Sequence, residues 1–170
     1  MRRPAAWATG AGWAGAAIAV LAVLAFARAA DASQVDISGL QNVTFTSLDP
    51  TVDATRSQNI CVFSNTLHGG YKITARGSGG GSAFTLSAGG SVSPLPYQVQ
   101  WSDVSGASSG TALSPGVALT GQTSNATKTT CSLGPASSAS LIVALRASDL
   151  QAAASGLTYT GTLSLTIAPE

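Results

Sequence analysis

Apolar and polar residues alternate with period two along several stretches of the chain, and the longest such stretch lies near its end. From Tyr159 to Ile167, Tyr159, Leu163, Leu165 and Ile167 fall on one side of an extended strand, with Thr158, Thr160, Thr162, Ser164 and Thr166 on the other. An alternation of this length rises about 30 Å, the height of a small sandwich, and needs a sheet beside it and a second sheet beneath its apolar face. Tyr71, Ile73 and Ala75 alternate in the same way with Lys72, Thr74 and Arg76, as do Tyr97, Val99 and Trp101 with Gln98, Gln100 and Ser102. Leu141, Val143 and Leu145 form a further inward row in Ser140–Leu145. Asn59–Ser64 is apolar on both faces, which predicts a central strand carrying Cys61 into the core.

Between these strands the chain reads as turns and short pieces. Val35 and Ile37 alternate with Asp36 in an N-terminal arm, Gly39 interrupts it, and Val43–Thr46 predicts a first strand that ends before Asp49-Pro50. His68-Gly-Gly70 is a turn, and Gly77–Ser82 reads as a flexible hairpin connection into Ala83–Ser87, with Phe84 and Leu86 on one face. Pro94 and Pro96 suit an edge or a bend. Leu113, Val117 and Leu119 around Pro115 predict two short strands or one broken strand. Ser148–Gly156 is the one helical candidate, with Ser148 as cap, Gln151 completing a capping box and Gly156 as stop. About eight or nine short strands and one helical turn predict an all-β sandwich.

Composition narrows what such a sandwich does. The chain has 170 residues, 45% hydrophobic and only 9% charged, with a formal net charge of +1. Arg2 and Arg3, the uncharged run Ala11–Phe26 and the small-residue endings Ala27-Arg28-Ala29 and Ala30-Asp31-Ala32 read as an N-terminal signal helix over 1–32, followed by a domain over 33–170. An uncleaved anchor is the competing reading of this run, and in either case the remainder is exported. Removal of the signal leaves a net charge of about −1, which excludes nucleic acid and anionic membranes as electrostatic partners. Cys61 and Cys131 are the only cysteines, and in an exported chain they are expected to pair. The alternatives, a metal pair or a reactive thiol, lack any neighbouring His or Cys cluster.

The candidate chemistry is thin. Gly106-Ala-Ser108-Ser-Gly110 matches the G-x-S-x-G elbow of hydrolases, but it sits in a small-residue loop with no helix after it, and His68 precedes it in the chain. His68 beside two glycines reads as a solvated turn residue. Asp49 and Asp53 lack the further ligands that a calcium loop requires. Tyr97 and Trp101 share a strand face, where core packing competes with sugar stacking. Asn42 and Asn125 head glycosylation sequons, relevant in a eukaryotic secretory route. No catalytic residue, metal ligand or cofactor site is expected, and the reading is of a protein that is not an enzyme.

With Ile60-Cys-Val-Phe63 placed early and an Ala-rich turn leading into Gly156-Leu-Thr-Tyr-Thr-Gly-Thr-Leu-Ser-Leu-Thr-Ile167, the chain resembles bacterial chaperone–usher pilins, of the spore coat protein U type. The resemblance implies an immunoglobulin-like sandwich lacking its last strand, in a fimbrial or adhesive surface subunit located in the periplasm or at the cell surface. It implies as partners a periplasmic chaperone, an outer-membrane usher and like subunits, joined by strand complementation. On that reading Val35, Ile37 and Leu40 are the donor residues, and Tyr159, Leu163, Leu165 and Ile167 line the acceptor groove. The chain ends Ile-Ala-Pro-Glu where pilins commonly carry a terminal aromatic residue. A self-complete monomeric sandwich that binds a carbohydrate or protein through loops such as Gly77–Ser82 is the alternative.

Overall fold

The computed structural model describes residues 32–170, so the expected signal segment lies outside the described residues. They form one compact unit, Ala32–Glu170. Its strands are β1 (Val35–Ser38), β2 (Ala54–Ser64), β3 (Gly70–Gly77), β4 (Thr85–Leu86), β5 (Leu95–Pro96), β6 (Gln98–Ser102), β7 (Thr111–Ala112), β8 (Ala118–Thr123), β9 (Ala139–Leu145) and β10 (Leu163–Pro169). One helix, α1 (Ala147–Ala152), precedes β10.

The strands make a five-stranded sheet in the order β1-β2-β9-β6-β7, a three-stranded sheet in the order β10-β3-β8, and a β4-β5 ribbon. All of these ladders are antiparallel. Lettered along the chain as in an immunoglobulin constant domain, β1, β2, β9 and β6 take the A-B-E-D order, while β3 and β10 take the C-F order. The expected all-β sandwich is therefore present. Of the two forms expected around Pro115, two short strands or one broken strand, the chain takes the first, with β7 in one sheet and β8 in the other.

The three cleanest alternations supply the core. Tyr71, Ile73 and Ala75 of β3 are wholly buried, as are Trp101 and, nearly so, Val99 of β6 and Leu145 of β9. Trp101 Nε1 donates a 3.0 Å hydrogen bond to the Tyr71 hydroxyl, which satisfies the indole N–H where both side chains are wholly buried.

Four local expectations are corrected. Val43–Thr46 forms no strand: Gly39, at φ 84°, turns the chain out of β1, and the next residues are held along β2 by side-chain bonds between Gln41 and Gln58. Gly77–Ser82 is not a hairpin, because β4 pairs with β5 rather than β3. The chain doubles back so tightly there that a Cβ on Gly77 would lie 2.1 Å from the Ala83 carbonyl oxygen. Ser148 does not cap α1: the Asp53 carboxylate, at the foot of β2, accepts the Ala147 N–H at 2.7 Å, and the helix stops at Ala152.

Cys61 does not enter the main core. Ile60 and Val62 point into it, whereas Cys61 and Phe63, on the opposite face of β2, join Ala126 and Cys131 in a separate cluster. The two cysteines form a disulfide, and the segment 124–138 lies over that face as a strap. Ser138 binds the strap to β2 by accepting the Val62 N–H at 3.0 Å and donating to the Val62 carbonyl at 2.8 Å. The doubly apolar run in β2 is thus explained by two different covers, one on each face.

Candidate functional site: an unpaired sheet edge

Strand β10 pairs with β3 from Leu163↔Gly77 to Pro169↔Tyr71. Leu165 stands opposite Ala75 and Ile167 opposite Ile73, so the apolar row of β10 faces the same interior as that of β3. The two rows fare differently: Tyr71, Ile73 and Ala75 are sealed, whereas Leu163, Leu165 and Ile167 are each only half-buried. Among the described residues, no strand pairs with the other side of β10, where the G strand of an immunoglobulin domain would stand.

Nothing on β10 protects that edge. No charged residue occurs between Asp149 and Glu170, Pro169 comes only at the strand's end, and the ladder with β3 has no bulge. The edge strand β8 is managed differently. It carries a bulge opposite Tyr71–Ile73, and the Glu170 carboxylate accepts the Gly121 N–H there at 2.7 Å. Asp103 Oδ2 accepts the Thr123 N–H at 3.2 Å and its hydroxyl at 3.0 Å. The remaining edges are short, with four residues in β1 and two in β7.

Of the expected donor and acceptor residues, Val35 and Ile37 lie on one side of a seam and Leu163, Leu165 and Ile167 on the other, while Leu40 and Tyr159 lie outside the two strands. Val35 and Ile37 lie on β1, in register with Ser64 and Val62, and pack half-buried against the core that also receives Leu163, Leu165 and Ile167. Parts of β1 and β10 approach within 8 Å between Cα atoms without pairing. Leu40 lies beyond Gly39, outside β1 and 46% exposed. Tyr159 precedes β10 rather than belonging to it. Thr160 pairs with Ser87 through bonds of 2.7 and 2.8 Å, which draws the chain aside before the strand begins at Leu163. Tyr159 still packs on the core, and its hydroxyl accepts the Ala154 N–H at 2.9 Å.

The other candidate groups are placed as follows. His68 is exposed at φ 65°, and Ser108 is exposed in the loop between β6 and β7. Asp49 accepts hydrogen bonds from the Thr51 hydroxyl and N–H at 2.7 and 2.8 Å, which hold its carboxyl below the usual range. Asp53 is taken up by α1. Tyr97 and Trp101 are inside the core, which removes them as a sugar platform. Burial pushes the Tyr71 phenol up to about 12 against the opposing bond from Trp101, and pushes the Tyr97 phenol up as well. Among the described residues, no three His, Cys, Asp or Glu side chains cluster as metal ligands would. Sequence reading missed the strap and the carboxylates that guard β8, since neither Asp103 nor Glu170 lies in a recognisable pattern.

No protein-family model matches the chain, and no curated protein is significantly similar to it.

Proposed function

We propose that this protein is an exported structural or adhesive surface subunit of the fimbrial type, assembled by β-strand complementation through the free edge of β10. The observation that carries the reading is the contrast within one sheet. Its β8 edge is bulged and occupied by carboxylates, while its β10 edge is seven residues long, uncharged and flanked by a half-open apolar row. A strand laid beside β10 gains a main-chain ladder and covers Leu163, Leu165 and Ile167 at the same time. An unsealed edge of this kind needs a holder during export, which on this reading is a periplasmic chaperone that delivers the subunit to an outer-membrane usher.

Material sheared from the surface of the producing cells tests the proposal. The protein is expected in assemblies that resist detergent at room temperature and fall apart on boiling. Recovery only as a free monomer in the medium would overturn it.

A further inference from the structure

We infer that this chain enters such an assembly from one side only: its β10 edge receives a strand from a different polypeptide, and its own N-terminal arm is not given to a neighbour. The inference rests on the complementation reading above and adds its polarity.

The arm is committed at both ends. The Gln34 N–H donates to Asn65 Oδ1 at 2.5 Å, and the Gln34 carbonyl accepts the Asn65 N–H at 3.0 Å. Between these bonds and the Ser38 hydroxyl, which donates to the Thr129 carbonyl at 3.3 Å, β1 pairs in unbroken register with Cys61–Ser64. Extension past Gly39 does not free a longer donor, because Gln41 is bonded to the Gln58 side chain at 2.9 and 3.2 Å.

The arm also forms a wall of the site it would be asked to fill. Val35 and Ile37 line the seam opposite Leu163, Leu165 and Ile167, all packed on one core. A copy that gave up β1 would lose that wall and leave Cys61–Ser64 without its partner strand, so donating β1 and holding a strand at β10 oppose each other within one molecule. The other alternating strands are interior: β6 lies between β9 and β7, and β3 between β10 and β8. A second copy therefore has no strand it can release among the described residues: its own β10 is held in the ladder with β3 and offers an edge rather than a free segment, so the occupant comes from another chain. Its chemistry follows from the seam: an extended segment with apolar residues at every second position and no charge on the inward face. A strand beside β10 takes up about 4.8 Å, so β1 eases outward to admit it while remaining paired with β2.

The test uses the exported chain and a variant whose arm is tethered next to β2 by Gln34→Cys with Asn65→Cys, exposed positions that bond to each other at the end of the β1–β2 ladder and lie outside the seam. The probe is a synthetic peptide of about ten residues alternating valine and threonine, with a shuffled peptide of the same composition as control. The inference expects both proteins to be monomeric alone at every concentration and both to capture the alternating peptide one to one. Capture slows amide exchange along β10 about tenfold or more, and the shuffled peptide does nothing. Oligomers of the untethered protein that the tether abolishes would show β1 passing between copies. That result overturns the one-sided inference and leaves complementation standing. Failure of either protein to capture the peptide, with no oligomers, would overturn the complementation reading and this inference with it.

Discussion

Removing the disulfide with Cys61→Ala and Cys131→Ala together should cost this domain a large part of its stability while leaving its sheets intact. The bond closes a loop of 70 residues that runs from β2 through the second sheet to the strap. For a loop of that length the chain-entropy account assigns about 4 kcal/mol, through the freedom restored to the unfolded chain. Both cysteines are almost fully covered, at 6% and 4% exposure, and an alanine pair keeps their apolar character without leaving a reactive thiol. For a domain of this size about 1 kcal/mol corresponds to about 3–4 °C, so the melting temperature should fall by about 12–16 °C. Thermal unfolding followed by circular dichroism gives that shift, and native-state hydrogen exchange locates it. Residues 124–138 should lose protection first, since Ser124, Ser138 and the single Ala126–Phe63 bridge are then their main ties to β2. A fall of under about 3 °C, with the strap still protected, would refute the reasoning. It would mean that the strap is closed by its own contacts and that the crosslink removes little freedom.

Two further outcomes follow from the buried Tyr71–Trp101 pair. Tyr71→Phe leaves Trp101 Nε1 buried without an acceptor and should destabilise the fold by about 1–3 kcal/mol, read from urea unfolding monitored by indole fluorescence. An unchanged midpoint would show the bond to be dispensable. Because desolvation holds the Tyr71 phenol near 12 in the folded chain, against about 10 unfolded, the native state keeps its proton longer. Stability is therefore full below about pH 10 and falls between about pH 10 and 12, by about 1.4 kcal/mol per unit from this group. Tyr97, raised by burial in the same direction, adds to the fall. Tyr71→Phe should flatten the alkaline limb, and a limb of the same steepness in the variant would assign the effect elsewhere.

The strands that period two marks most plainly were legible because each presents one apolar row to the core, with the opposite row at least partly exposed in β3 and β6 and largely buried as well in β9. Tyr71-Ile73-Ala75, Tyr97-Val99-Trp101 and Leu141-Val143-Leu145 all point inward as their spacing predicts. Legibility failed where cover came from a distant segment. Cys61 and Phe63 looked like core residues, and only the strap, over 60 residues further on, shows that they face the other way. The cap of α1 was hidden for the same reason: Asp53 is remote in sequence, so Ser148 and Gln151 offered a local answer that tertiary structure superseded. The alternation that begins at Tyr159 overstated β10 by four residues, because the Thr160–Ser87 bridge diverts the chain and pattern alone does not register a bridge. The free edge itself was legible only as an uncharged alternating strand. That no described strand flanks it is a fact of topology.

The pairing of β2 with β9 joins Ala54 to Leu145, and that of β3 with β10 joins Tyr71 to Pro169. Neither layer can close until the last quarter of the polypeptide has been delivered, so folding is dominated by distant partners and should be slow, in the millisecond-to-second range of such topologies. During that delay Cys61 waits with a single thiol to meet, because two cysteines admit one connectivity. Oxidation therefore cannot trap this late-closing chain in a wrongly crosslinked form of its own.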